Sequence, residues 1–384
     1  MKGLSKWEVQ TYKLDQLGTV SRGKSRHRPR NEQSLYGGKY PFIQTGDVKS
    51  ANFYITKYSQ TYNEKGLSQS KLWDKGTLCI TIAANIAETA ILGIDACFPD
   101  SIVGFIPFEN KSDVRYIKYC FDTYQKEMQA MSLGATQDNF SVEKMLKVKF
   151  IVPQLSTQQK IADILSAYDD LIENNNRRIE LLEKAAENLY KEWFVRFRFP
   201  NYKKTKFQNG LPQGWEVVKV KNIVNRLPFG KLYKEKDLLS EGKVIVIDQS
   251  QKDYVGFHNN EPSHKASIDT PIIIFGDHSC KMQLMINDFS LSENVVPFIS
   301  QNDIPIVFLY YLVNSLIETT EYKRHWTEFM SKKVLLPQKH LTVMFQEQVE
   351  SNMVLINNLQ IQNRNLIKQR DLLLPRLMSG KLEV

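Results

Sequence analysis

The stretch WEVQTYKLDQL at residues 7 to 17 returns as WEVVKVKNI at 215 to 223. Each is a Trp, an acid and then alternating apolar residues, the pattern of an entering β-strand. From that pair the repeat runs outward along the chain. PFIQTGDV (41 to 48) and KVIVIDQS (243 to 250) are short apolar runs ending near an Asp, read as strand then turn. GTLCITIAANIAETAILGIDACFPDSIVGFIP (76 to 107) answers to TPIIIFGDHSCKMQLMINDFSLSENVVPFIS (270 to 300). Both read as short β-branched strands broken by Gly, Asp or Asn turns. Helical stretches follow at 115 to 131 and 306 to 322, and then KVKFIVPQL (147 to 155) and KKVLLPQKH (332 to 340), a strand ended by Val-Pro or Leu-Pro. The expected fold class is mixed α/β (α+β): two tandem copies of one module, related by an internal pseudo-twofold repeat.

Each copy leads into a long helix. From Gln154 to Phe199 there is no Gly and no Pro, and Ser156 with Gln159 offers a capping box after Pro153. Ile161, Leu165, Tyr168, Ile172, Ile179, Leu182, Ala186, Leu189 and Trp193 fall in 4,3 spacing, with Asn175 filling the gap. That is a coiled-coil seam. The second helix is expected from about Thr342 to Leu374, stopping at Pro375. At a constant offset of 187 residues, Leu355, Leu359, Gln362, Leu366, Gln369 and Leu373 match Tyr168, Ile172, Asn175, Ile179, Leu182 and Ala186. A polar residue then sits mid-seam in both helices, where a buried amide fixes register at a cost in stability. Asn174-Asn175-Asn176 could instead be a helix break, and either stripe could be a face packed on its own module. The favoured arrangement is an antiparallel coiled coil between the two helices. A helix of roughly 36 residues is about 54 Å long, a device suited to half-sites on the order of 34–36 Å apart.

Bulk properties agree with two folded units. The 384 residues are 42% hydrophobic and 24% charged, and 51 Lys and Arg against 42 Asp and Glu give a net charge of +9. That balance suits a polyanionic partner. Cys79, Cys97, Cys120 and Cys280 have neither redox nor zinc-ligand spacing and read as small buried apolar residues. No apolar leader or membrane-length run is present, so a reducing cytoplasm and no membrane partner are expected. Methyltransferase Asn/Asp-Pro-Pro-aromatic, Gly-rich cofactor, phosphate-loop and H-E-x-x-H motifs are all missing. A self-sufficient enzyme and a metal site are disfavoured.

At LSTQQKIADILSAYDDLIENNNRRIELLEKAAENLYKEWFVRFRFP (155 to 200), GLPQGWEVVKV (210 to 220) and FQEQVESNMVLINNLQIQNRNLIKQRDLLLPRLMSGKLEV (345 to 384), the chain resembles the specificity subunits of type I restriction-modification systems. GATQDNFS (134 to 141) also resembles a family element, whereas the second copy has HWTEFMS (325 to 331) there. The resemblance implies a first target-recognition domain at 1–155, a spacer helix at 156–199, a linker and second recognition domain at 200–340, and a second spacer helix with the tail at 341–384. It further implies a non-catalytic subunit in which each domain reads half of a split double-stranded DNA target. Its partners would be two methyltransferase subunits carrying S-adenosylmethionine and, through them, ATP- and Mg-dependent restriction subunits. A DNA-binding scaffold dimerised through its helices is the alternative, and an enzyme of unfamiliar design a third.

Candidate contacts follow from chemistry. Arg22, Lys24, Arg26, Arg28 and Arg30 alternate through SRGKSRHRPRN, and no acid lies between Gln16 and Asn31. Such a loop suits phosphates, with an Arg able to reach guanine; a solvated loop is the plain alternative. LPFGKLYKEKD (227 to 237) holds Lys231, Tyr233, Lys234 and Lys236 at the corresponding place. Gln44, Asn85, Gln137, Asn139 and Gln249 are amides of the kind that read adenine, though each could be a turn residue. Lys203, Lys204 and Lys206 read as a solvated linker. His278, between Asp277 and Lys281, is a candidate DNA contact or a turn.

Overall fold

The computed structural model describes residues 8–133, 141–319, 321 and 323–384. Compactness divides the chain non-linearly, into Met1–Asn176 with Ile361–Val384, and Arg177–Gln360. Each unit therefore holds one module, half of the first long helix and half of the second.

In the first unit the entering strand Val9–Lys13 pairs antiparallel with the exit strand Lys149–Pro153, Val9 opposite Pro153 and Lys13 opposite Lys149. The module is thus closed at its base, where the helix leaves. Gly18–Arg22, Ile102–Pro107, Leu78–Thr81, Thr89–Leu92 and Tyr54–Ile55 form the main sheet in that order. The two central strands are buried along their length, as their Leu, Ile and Thr content requires. A second sheet runs Gln60–Tyr62, Tyr36–Phe42, Ala96–Cys97, Leu72–Trp73. Helix Val114–Leu133 covers the main sheet through Tyr116, Ile117, Cys120 and Phe121. It starts where the Asp113 carboxylate accepts from the N–H groups of Arg115 (2.8 Å) and Tyr116 (3.4 Å), a carboxylate at the positive helix end. All four cysteines are free thiols, and burial pushes those of Cys79 and Cys120 up.

The second unit repeats the plan. Glu216–Lys219 pairs with Lys333–Leu336, and Val224–Arg226, Val295–Ser300, Ile272–Gly276 and Met282–Met285 reproduce the order of the first four main-sheet strands. Of the helix expected at 306 to 322, only Ile306–Val313 forms among the described residues. Asn314 turns extended and Ser315 adopts φ +63°, which returns Ile317 to the core.

Leu155–Tyr190 is one unbroken 36-residue helix, running through Asn174-Asn175-Asn176, and a single π turn, Lys191–Val195, follows it. Because it includes Leu155, Ser156 lies inside the first turn rather than at the cap. Gln158 closes this end instead, its side-chain amide donating to the carbonyls of Pro153 and Lys111 at 2.9 Å each. The second helix is Lys339–Met378 and passes through Pro375. A proline there costs about 3 kcal/mol. Burial of Leu377 at 0% exposure, with Leu373, Leu374 and Met378 packed around it, offsets that cost and keeps the last turn helical.

Lys149 opposes Lys13 as Lys333 opposes Lys219, so the exit strands lie 184 residues apart (333 − 149), three fewer than the 187 read along the helices, and the entry strands 206 apart (219 − 13). A three-residue slip on a helix stays near the same face, and periodicity alone cannot detect it. At the exit strands' spacing of 184, Ile161 and Leu165 stand opposite Phe345 and Val349 in the repeat, all four buried. Leu355, expected in the seam, is 37% exposed; Met353 and Leu359 take the inward positions on that stretch.

Within the first unit Ile161, Ala162 and Leu165 pack into the module's own core, which Leu377 near the end of the second helix also joins. Asn175 is fully buried, and its Nδ2 donates to Gln362 Oε1 and Asn363 Oδ1, both at 2.9 Å. Asn363 Nδ2 returns a bond to Asn176 Oδ1 at 2.8 Å. Arg370 pairs with Asp169, which also accepts from the Tyr119 hydroxyl. Tyr168, Ile172, Leu366 and Leu373 flank this layer, Ile172 buried and the others half-buried. In the second unit Ala186, Leu189, Tyr190 and Phe194 pack with Leu341, Phe345, Val349 and Met353; Ile179 and Leu182 are half-buried. In the first unit rising numbers on one helix meet falling numbers on the other, Asp169 with Arg370 and Asn175 with Asn363, so the halves pack antiparallel.

Candidate nucleic-acid interface

In the first module the basic loop leaves strand Gly18–Arg22 and is tied down by its backbone. Gly23 N–H donates to Ile102 O (2.8 Å), Lys24 N–H to Phe98 O (3.0 Å), and His27 N–H to Gln69 Oε1 (3.0 Å). Gly23 is required, since a Cβ there would lie 2.3 Å from the Pro99 carbonyl oxygen. With the backbone held, Arg22, Arg26, Arg28 and Arg30 are exposed and Lys24 half-buried. Arg28 donates to the carbonyls of Ser25 (2.7 Å) and His27 (2.8 Å), and both Arg28 and Arg30 reach Asp100. Exposed pairs of this kind are worth about 0–1 kcal/mol, so Asp100 holds the two guanidinium groups only weakly.

Beside the loop lies a polar cleft of about 660 Å³, whose lining includes Arg30, Asn31, Gln33, Gln44 and Gln60. Gln44 Nε2 donates to Gln60 Oε1 at 2.8 Å. Aromatic rings stiffen the wall: Phe42 stacks on Tyr62 at 4.0 Å, and Tyr36 lies 5.1 Å from Tyr62. Burial, with Tyr62 beside it, pushes the Tyr36 hydroxyl up to about 12. It is therefore a neutral donor at physiological pH, given to the Arg30 carbonyl (2.7 Å). Arg30 and Gln44 are thus brought into one cleft. Asn85 is not among its lining residues; it accepts from Lys49 Nζ (3.1 Å). Gln137 and Asn139 lie outside the described residues.

The second module departs from its expected site. Lys231 and Lys234 are exposed, but Tyr233 is 3% exposed, stacked on His258 at 4.0 Å with Asn260 donating to its hydroxyl. Its ring is therefore packed against His258 and not, as expected from the sequence, presented at the surface. Gln249 is turned to the backbone, its Oε1 accepting from the N–H of the half-buried His278 (3.2 Å). Lys281 is half-buried with its ammonium on the Lys252 carbonyl, and burial lowers its pKa. Asp277 is a brace: its Oδ1 accepts from the N–H groups of His325 (3.0 Å) and Trp326 (2.8 Å), capping helix Trp326–Ser331.

What sequence reading missed here is a cleft of about 550 Å³ lined by Arg226, Phe229, Arg324 and Trp326 among others. Its local signal was slight, an Arg at the end of NR and another beside HW. Only the strand order brings them together.

Among the described residues no group of three or more His, Cys, Asp or Glu is placed to hold a metal, and no helix is long and apolar enough to cross a membrane.

Residues 5–184 match the family model of the type I restriction modification DNA specificity domain. The type I restriction enzyme MjaIX specificity subunit of Methanocaldococcus jannaschii is 26% identical over an alignment of 424 positions, covering 98% of this chain and 94% of that one. The MjaVIII specificity subunit of the same organism is 27% identical over 218 positions, 55% of this chain and 48% of that one. The fold is similar to that of the S subunit of a type I restriction-modification system from M. genitalium, with a TM-score of 0.57 at 15% identity over 100% of this chain and 98% of that one. A duplicated module, a cationic loop and long helices thus stand beside similarity to type I restriction-modification specificity subunits, along 98% of the chain in sequence and over the whole chain in fold.

Proposed function

We propose that the two modules each read one half of a split duplex target, and that the paired helices set the unread spacer. The chain is the specificity component of a type I restriction-modification system, a recognition subunit that assembles with other subunits and DNA. The observation that carries the two-half reading is the shared strand order of the main sheets, each closed at its base by an entering and an exit strand. A duplicated reader with different loops suits a target whose halves differ. Backbone-tied cationic loops supply the phosphate contacts that position such a reader.

In this proposal two methyltransferase subunits dock on the helices and module flanks, carry S-adenosylmethionine and methylate adenine. Restriction subunits using ATP and Mg join through them, and the complex works in the cytoplasm. Co-purification with the methyltransferase encoded beside this gene tests the assembly. Two methyltransferases per chain are expected; a homodimer of this chain that binds DNA and retains no methyltransferase would favour the scaffold alternative.

A further inference from the structure

We infer that Arg226 and Arg324 form the second module's DNA-reading site, with Arg226 reading a guanine and Arg324 holding the adjacent backbone. The inference rests on the two-half reading proposed above and names where the second half is read. Arg226 ends the strand Val224–Arg226, is exposed, and lays its guanidinium over the Phe229 ring at 4.6 Å. Stacking restrains the guanidinium while leaving its in-plane N–H edge open. That edge is what makes two parallel hydrogen bonds to guanine O6 and N7 in the major groove.

Across the cleft the loop carrying Arg324 is fixed by Asp277, whose carboxylate accepts from the His325 and Trp326 N–H groups. The Arg324 side chain stays 77% exposed, with Nε 3.8 Å from Asp277 Oδ2. Trp326 lies 5.8 Å from Phe275, 5.7 Å from Phe298 and 5.4 Å from Phe329, so the wall behind the cation is a packed aromatic cluster. Two acids line the cleft. Asp277 spends one oxygen on the helix cap, and Glu293 is loosely matched by Lys234 at 3.9 Å. Two arginines with exposed donors on an aromatic wall match a nucleic-acid groove better than a neutral or anionic protein surface. Arg226 belongs to the second strand of its module, as the basic loop of the first module follows the second strand there.

Selection of random-sequence duplexes by the full chain in its methyltransferase complex tests this. The wild type should select a split motif. Arg226→Ala should lose preference at one guanine of one half, discrimination falling roughly 5- to 150-fold, and Arg226→Lys should lose the same preference while binding more tightly than the Ala variant. Arg324→Ala should weaken all sequences alike and reduce the salt slope by about 1. The other half of the motif reports that each variant is folded. An unchanged motif and unchanged salt slope in the variants would overturn this inference while leaving the split-target reading intact; no motif from the wild type would overturn that reading itself.

Discussion

Replacing Arg370 with Ala should destabilise the first unit by about 3–5 kcal/mol, the cost of leaving a buried charge without its partner. The Asp169 side chain is 1% exposed and that of Arg370 22%, so water has little access to take the cation's place. One donor remains, the Tyr119 hydroxyl, which places the loss toward the lower end. Burial already holds the Asp169 carboxyl above the usual range, with Arg370 the largest opposing influence. A carboxyl whose folded pKa is raised binds its proton more tightly folded than unfolded. Stability therefore falls as pH rises from the unfolded value through the folded one, and deleting Arg370 widens that window upward. In thermal unfolding of the full chain, Arg370→Ala should lower the first unit's transition at pH 7 on the order of 10 °C. The deficit should shrink as pH falls toward 5, and Asp169→Asn added to Arg370→Ala should recover most of it. A melting temperature within about 1 °C of wild type, with no pH dependence, would refute this reasoning.

Asn175→Leu should cost about 1–3 kcal/mol by stranding the buried Asn363 amide, read by denaturant unfolding, while the exposed Gln362 turns to water; no loss would mean that the amide layer contributes nothing. Alanine at Arg26, Arg28 and Arg30 together should weaken binding to one half-site and reduce the salt slope by about 3; unchanged affinity and slope would remove the loop from the interface. Tyr233→Ala should lower stability by about 3–5 kcal/mol without altering the selected motif, since the ring packs on His258; a changed motif with unchanged stability would return it to the DNA. One heptad inserted into each long helix should lengthen the tolerated spacer, and a fixed preferred spacing would contradict the spacer role.

The repeat was legible because the strands that close each module carry local marks: Trp-acid at entry, and Val-Pro or Leu-Pro at exit. Those marks survive divergence because one pairs with the other, Val9 with Pro153 and Glu216 with Leu336. The basic loop was legible for a similar reason, being a run of neighbours in the chain. Strand order was not, since short β-branched runs look alike whichever neighbour they pair with. Leu355 was misassigned because periodicity alone does not say which of several neighbouring apolar residues turns inward; Met353 and Leu359 are buried and Leu355 is exposed. Pro375 was read as a stop because its local cost is plain, while the burial of Leu377 that offsets it depends on a core assembled from residues far earlier in the chain. Tyr233 looked like a contact among lysines, and its stacking on His258 is a tertiary fact. Arg226 and Arg324 were missed because neither is remarkable among its neighbours; the fold makes them a pair.

Methylated adenines mapped in the host genome, with and without this gene, test the central claim most directly. Methylation at one two-part motif with a fixed unread spacer, lost on deletion and restored by the intact chain, is the predicted result. A methylome unchanged by the deletion would contradict it.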